Sequence, residues 1–221
     1  MQLSQQYQPT SLAEVIGQPI IVGRLRTFLA EPFPCWMAFV GPTGVGKTTC
    51  MRILAESVAD PWFGVHRISG ASLDLSAVEH YFGSDSPFRF RTPANHLHVL
   101  TIEELEVVPD KTRIALKDAW DVCRERNWRV VVLATSNDMS RLEPALRDRF
   151  GEPFVFDGGA QFAKAFCQWM RTVVWPLESE GPIPADHMLW GLDLERGTFS
   201  ARRAMDACQA ELLKRKAQVV A

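Results

Sequence analysis

The feature that most restricts what this chain can fold into is Gly41-Pro-Thr-Gly-Val-Gly46-Lys47-Thr48, a run that matches G-x-x-x-x-G-K-[ST]. Gly41, Gly44 and Gly46 permit the tight backbone reversals that turn successive N–H groups toward one anion. A helix starting at Lys47 points its positive end at the same place. Lys47 adds a full charge for the β- and γ-phosphates of a nucleotide, and the Thr48 hydroxyl is a ligand for Mg²⁺. Such a loop works only between a buried strand and a helix, and both flank it here. Trp36–Val40 is a short apolar run bounded by Pro34 and Gly41, and Lys47–Ala59 carries Met51, Leu54, Ala55 and Val58 on one helical face. The candidate phosphate-binding residues are therefore Gly41, Pro42, Thr43, Gly44, Val45, Gly46, Lys47, Thr48 and Thr49, with ATP and Mg²⁺ as the implied ligands.

The same alternation continues along the chain. Val65–Ser69, Leu97–Ile102, Val130–Ala134 and Phe154–Phe156 read as strands, and Ile20–Ala30, Leu73–Phe82, Asp110–Glu125 and Pro144–Phe150 as helices. Strands alternating with helices predict an α/β fold, a parallel sheet flanked by helices. On the helix 110–125, Ile114, Leu116, Trp120 and Cys123 are expected to face inward and Lys111, Arg113, Lys117 and Arg124 outward. After Asp157 the pattern turns helical, over 160–175 and 200–219, with no further strand expected. A boundary near Glu152–Gly158 gives a nucleotide-binding domain over 1–152 and a small all-α lid over 153–221.

Composition narrows the classes. The chain has 221 residues, 47% hydrophobic and 23% charged, enough to bury a core and too apolar for disorder. A net charge of −2 excludes a strongly cationic coat but not a local basic patch. The five cysteines are scattered, with no C-x-x-C, and read as reduced, mostly buried thiols. No apolar run is long enough to span a bilayer and the N-terminus lacks the order of a signal peptide, so a cytoplasmic location without membrane partners is expected. His96 and His98 flank Leu97 without a further ligand at metal spacing, and are read as packing residues.

A nucleotide site also needs a carboxylate near the metal and a base for the attacking water. The buried run Val99-Leu-Thr-Ile ends in Glu103-Glu104. Glu103 is the candidate metal residue, acting through water, and Glu104 the candidate base. Most strands of this kind end in Asp-Glu, so Glu103 is a departure. Glu106, a third acid, reads as part of a solvated turn.

Together these features resemble an AAA+ ATPase of the clamp-loader group, which takes in small clamp-loader subunits and fork-repair or branch-migration relatives. Tyr7-Gln-Pro and Val15-Ile-Gly17-Gln18 are similar to the adenine-side box, which assigns Tyr7, Val15 and Ile16 to the nucleotide. Gly41–Thr48 and Leu97–Glu104 resemble Walker A and Walker B, and Leu133-Ala-Thr-Ser-Asn137 resembles sensor 1, which assigns Asn137 to the γ-phosphate or its water. Leu142-Glu-Pro-Ala-Leu-Arg147-Asp-Arg149-Phe150 resembles the segment of the arginine finger. Arg149 would then complete a neighbouring subunit's site, with Arg147 as the rival. Phe199-Ser-Ala-Arg202-Arg203 resembles the sensor 2 helix, with Arg202 reaching the γ-phosphate in cis and Arg203 as the fallback. The resemblance implies an ATPase that works as a homo- or hetero-oligomer. By that resemblance no C-terminal helical collar like that of clamp loaders is expected, and assembly would rely on the ATPase interfaces, nucleotide, DNA or another protein.

The resemblance also implies DNA, single-stranded or primed, and a replication or repair client protein. Arginines outnumber lysines 18 to 6, which suits phosphate and planar contacts. Lys111, Arg113 and Lys117 lie on the helix that lines the channel in clamp-loader relatives. Pro87-Phe-Arg89-Phe-Arg91 alternates aromatic and basic residues; it would suit stacking on a single strand, or its phenylalanines pack inward. A protein remodeller without a nucleic-acid role, and a nucleotide-dependent scaffold that hydrolyses weakly, stand as alternatives.

Overall fold

The computed structural model describes residues 2–93 and 96–220; Ala94 and Asn95, within the loop expected over 83–95, lie outside the described residues. Its helices are α1 (Leu3–Gln6), α2 (Pro19–Ala30), α3 (Lys47–Val58), α4 (Leu75–Phe82), α5 (Asp110–Glu125), α6 (Pro144–Arg149), α7 (Ala160–Trp169), α8 (Trp175–Glu178) and α9 (Ala201–Val220). Its strands are β1 (Cys35–Val40), β2 (Val65–Ser69), β3 (His98–Glu103), β4 (Val130–Ser136), β5 (Phe154–Val155), β6 (Leu192–Asp193) and β7 (Thr198–Phe199). The chain divides into two compact units. One comprises the chain up to Val22, Gly41–Thr49 and the chain from Phe156 onward; the other comprises Gly23–Val40 and Cys50–Val155.

The second of these units holds the five-stranded parallel sheet, in the order β2-β3-β4-β1-β5. β4 is buried at every position and β3 at all but Glu103, as expected of central strands covered on both faces. The ladders set Val40 opposite Ser136 and Ile102 opposite Ala134, so β1, β4 and β3 end at nearly the same level. In a parallel sheet that shared carboxyl edge is where ligands are met. On one face Trp36 anchors the core, its ring 5.9 Å from Phe82, 5.5 Å from Trp120 and 5.3 Å from Phe150.

Helix α5 corrects the expected face. Ile114 is 52% exposed, whereas the Arg113 side chain is only 16% exposed, donating to the Glu106 carbonyl at 2.7 Å and to Asp110 at 3.0 Å. Backbone and carboxylate acceptors at the start of the helix draw the guanidinium inward. The apolar stripe narrows to Leu116, Ala119 and Cys123, with Thr112.

The first unit is not purely helical. β6 and β7 form an antiparallel hairpin turned at Gly197 (φ +62°), correcting the expectation of no strand after Asp157. Strands of two residues are too short to show an alternation. The helix expected over 160–175 is α7, then a π-helical stretch (Met170–Val174), then α8. The N-terminus opens with the turn of α1, whose Leu3 N–H donates to Gln209 on α9 at 2.8 Å. The five cysteines are free thiols. Burial pushes Cys35, Cys50 and Cys123 up to about 12 and is the main cause that takes Cys208 to about 11, so none is poised as a nucleophile.

Candidate functional site

The phosphate loop is shaped by its glycines. Gly41 (φ +149°), Gly44 (φ +82°) and Gly46 (φ +97°) all lie in the region that side chains disfavour. At two of them space is also closed. A Cβ on Gly41 would sit 2.5 Å from the Phe156 carbonyl oxygen, and one on Gly44 would sit 2.1 Å from Ser200 Oγ. At Gly46 a Cβ would meet nothing within 4 Å, so it would project into open space on the loop. Lys47 is buried; its ammonium donates to the Gly41 carbonyl at 2.6 Å and to the Pro42 carbonyl at 2.8 Å. This holds a full positive charge over the loop, at the N-terminus of α3. Thr48, in the first turn of α3, is exposed.

The start of α9 packs on the loop. Ala201 N–H donates to the Gly44 carbonyl at 2.9 Å, and Ser200 Oγ accepts from Arg203 N–H at 3.4 Å as a cap. Arg202 is exposed in the first turn, while Arg203 is ion-paired to Asp193 at 3.2 Å. Of the two, Arg202 is the cation not committed to the hairpin. Gln18, which closes the adenine-side box without a role assigned to it from the sequence, is buried: its Nε2 donates to the Asp157 carbonyl at 2.7 Å and to the Val45 carbonyl at 3.5 Å. It ties the loop to the segment after β5. Tyr7, Val15 and Ile16 are half-buried. The Tyr7 hydroxyl donates to Glu178 at 2.8 Å, and burial with that carboxylate beside it pushes the phenol up to about 12. Its ring meets Trp169 edge-on at 6.0 Å.

In the sheet unit, Glu103 is the exposed last residue of β3 and Glu104 follows in the left-handed region (φ +57°, ψ +56°), one of two described non-glycine residues there. Strain of this kind is costly unless the surroundings enforce it. They do: Glu104 N–H donates to Thr135 Oγ1 at 3.2 Å, and Gly70 packs so close that a Cβ would fall 2.2 Å from the Glu104 carbonyl oxygen. The turn leaves the Glu104 carboxylate exposed at the carboxyl edge of the sheet.

Asn137 follows β4 directly and is exposed. Glu106 Oε1 accepts from both its backbone N–H, at 3.0 Å, and its Nδ2, at 2.8 Å. Glu106 is thus no solvated turn residue. It is half-buried, its Oε2 is buried without a hydrogen-bond partner among the described residues, and it fixes the end of the Asn137 amide. Arg149 is half-buried on α6, paired with Asp121 of α5 at 3.1 Å; Arg147 is also half-buried. The candidate residues therefore fall into two sets: the loop, Tyr7, Val15, Ile16 and Arg202 in one unit, and Glu103, Glu104, Asn137 and Arg149 in the other.

The donors suit Mg²⁺. Among the described residues no group of three or more His, Cys, Asp or Glu could cage a metal. Mg²⁺ takes one or two protein oxygens and completes its shell with phosphate and water; Thr48 in one unit and Glu103 in the other each carry a hard oxygen donor of that kind.

A family model described as ATPase family associated with various cellular activities (AAA) matches residues 37–157, more than half of the chain. The replication factor C small subunit of Haloarcula marismortui is 41% identical over 59 residues, 26% of this chain and 18% of that protein. That of Methanothermobacter thermautotrophicus is 24% identical over 114 residues, 51% of this chain and 36% of that protein. Among solved structures, the RuvB Holliday junction branch migration motor of Thermotoga maritima superimposes with a TM-score of 0.67 at 21% identity, over 90% of this chain and 63% of that one. The likeness to RuvB is one of fold. The matched stretches take in well under half the length of these replication factor C subunits and less than two thirds of RuvB.

Proposed function

Since the chain belongs to the AAA family of ATPases, we propose that it binds ATP with Mg²⁺, hydrolyses it as a homo- or hetero-oligomer in the cytoplasm, and spends the cycle on DNA to load or remodel a replication or repair protein. The observation that carries the nucleotide part is the phosphate loop, with its three positive-φ glycines and a buried lysine folded over it. Residues 1–152 act as the nucleotide-binding domain and 153–221 as the lid.

The backbone N–H groups of Gly41–Thr49 and the Lys47 ammonium bind the phosphates. Tyr7, Val15 and Ile16 flank the base. Thr48 directly and Glu103 through water would hold Mg²⁺, which would supply charge neutralisation at the phosphates. Glu104, whose strained turn leaves its carboxylate exposed, draws the proton from the attacking water. Asn137 orients that water or the γ-phosphate, and Arg202 meets the γ-phosphate from the lid. Arg149 acts in trans, where such a guanidinium stabilises charge growing in the transition state. The DNA part is supported by what the similar proteins are, a replication factor subunit and a branch migration motor.

Steady-state ATP turnover with no DNA, with single-stranded DNA and with primed DNA tests the reading. DNA should raise kcat several-fold. Turnover indifferent to DNA would favour a protein remodeller, and tight ATP binding with negligible turnover a nucleotide-dependent scaffold.

A further inference from the structure

At the amino edge of the sheet, where β2 and β3 begin, the fold holds aromatic rings out into solvent. Trp62 is 91% exposed and Phe90 is 51% exposed. Neither is loosely displayed. Asp60, completely buried, accepts the Trp62 N–H at 2.8 Å and the Phe63 N–H at 3.3 Å through Oδ1, while its own N–H donates to the Leu97 carbonyl at 3.1 Å. His98, also completely buried, bonds the Phe90 carbonyl through Nε2 at 2.7 Å; a carbonyl only accepts, so that nitrogen carries the proton. Phe63 joins the two turns, stacked on Phe90 at 5.9 Å and 13° and tilted on His98 at 4.7 Å.

The alternating segment 87–91 resolves into an inner and an outer ring. Phe88 is buried against Tyr81, Phe82 and His98, whereas Phe90 faces out. Arginines flank the outer ring. The Arg89 guanidinium lies 5.2 Å from the Phe90 centroid and pairs with Asp85 at 2.7 Å, and Arg91 is exposed. Every large exposed apolar side chain in segments 60–67 and 84–92 is aromatic; the exposed aliphatic ones lie elsewhere. Flat rings beside guanidinium groups, without aliphatic surface, suit planar bases on a phosphate chain better than the apolar face of a protein.

We propose that Trp62, Phe90, Arg89 and Arg91 form a stacking platform for single-stranded nucleic acid, set on two turns that the buried Asp60 and His98 hold in place. It deepens the proposed role on DNA and rests on it for biological purpose, not for its geometry. Bases stack on Trp62 and Phe90, and the arginines take the backbone phosphates. Stacking is indifferent to base identity, so the platform binds without sequence preference.

The test is fluorescence anisotropy of the full chain with a labelled oligothymidylate of about 20 nucleotides, with a duplex of the same length and with primed DNA. Trp62→Ala and Phe90→Ala should each weaken binding of the single strand by about tenfold, with Trp62→Phe close to wild type. Arg91→Ala should lower the slope of log affinity against log salt by about 0.7. Thermal melting and DNA-free ATP turnover of Trp62→Ala should match wild type, because its side chain lies in solvent. If wild type binds DNA and the variants bind it equally well, the platform is refuted and the role on DNA survives. Failure to bind any of the three nucleic acids overturns both. Loss of a self-association on Trp62→Ala, seen by sedimentation with no oligonucleotide binding, would make the patch a protein contact and also refute the platform.

Discussion

Glu106 changes what Asn137 can present. An asparagine amide offers an oxygen at one end and two N–H donors at the other, and rotation exchanges them. With Oε1 of Glu106 accepting from both the backbone N–H and Nδ2 of Asn137, the end that faces the carboxylate is fixed. Glu106 is itself anchored, since Arg113 donates to its carbonyl. If Asn137 meets the γ-phosphate or its water as proposed, Glu106 acts through it as a positioning residue. Glu106→Ala should lower kcat for ATP about tenfold and leave KM nearly unchanged, the mark of an interaction that matters in the transition state. Glu106→Gln should restore most of the rate, because an amide oxygen accepts the same two bonds. In an Asn137→Ala background the Glu106→Ala change should add almost nothing, since residues that act as one unit are non-additive. Additive losses, or a fall in melting temperature that tracks the loss in rate, would make Glu106 a structural residue only.

At the scale of elements, the turns that carry Trp62 and Phe90 make part of the stability depend on pH. Burial holds the His98 imidazole below its ordinary range, although the Phe90 carbonyl and Asp60 pull the other way; burial, with His98 and His80 nearby, lowers His66 too. An unfolded histidine takes its proton near pH 6.5, whereas these two resist it when folded. Below that pH the unfolded chain therefore binds more protons, and stability present above about pH 6.5 is lost as the pH falls toward the folded values. Thermal unfolding followed from about pH 7.5 to about pH 5.5 should show a falling midpoint, and His98→Gln should flatten part of the slope. A midpoint that is level over this window would contradict it. The elements also mark how far the sequence could be read. The five strands of the parallel sheet were legible because each is a short contiguous run, and the turns of the phosphate loop because its glycines are demanded position by position; β6 and β7, of two residues each, were not. Gln18, Thr135 and Glu106 were not, because each acts on a partner remote in sequence (Asp157, Glu104 and Asn137 respectively). Arg113 and Ile114 exchanged their expected faces because acceptors at the start of α5 outweighed the hydropathy of the helix.

For the whole molecule the decisive question is whether one polypeptide suffices. Within its own chain the Arg149 guanidinium is committed to Asp121 at 3.1 Å, and its Nη1 donates to the Ala145 carbonyl at 3.4 Å. A finger working in trans would exchange that surface pair, weak by nature, for a phosphate on a neighbour. Two defective variants then complement each other. Lys47→Ala should lose its hold on the phosphates while carrying an intact Arg149. Arg149→Ala holds ATP but should lose about 10³-fold in turnover. Mixed in equal amounts under assembling conditions, they place an intact loop next to an intact finger at about a quarter of head-to-tail interfaces. The mixture should therefore recover up to about a quarter of wild-type turnover, although each variant alone is nearly inactive. Arg147→Ala in place of Arg149→Ala identifies which arginine acts: the true finger is inactive alone and rescued in the mixture, while the other is active alone. A mixture that assembles and binds ATP yet stays as inactive as its parts would mean that Arg149 serves its own chain, and the trans assignment would fall.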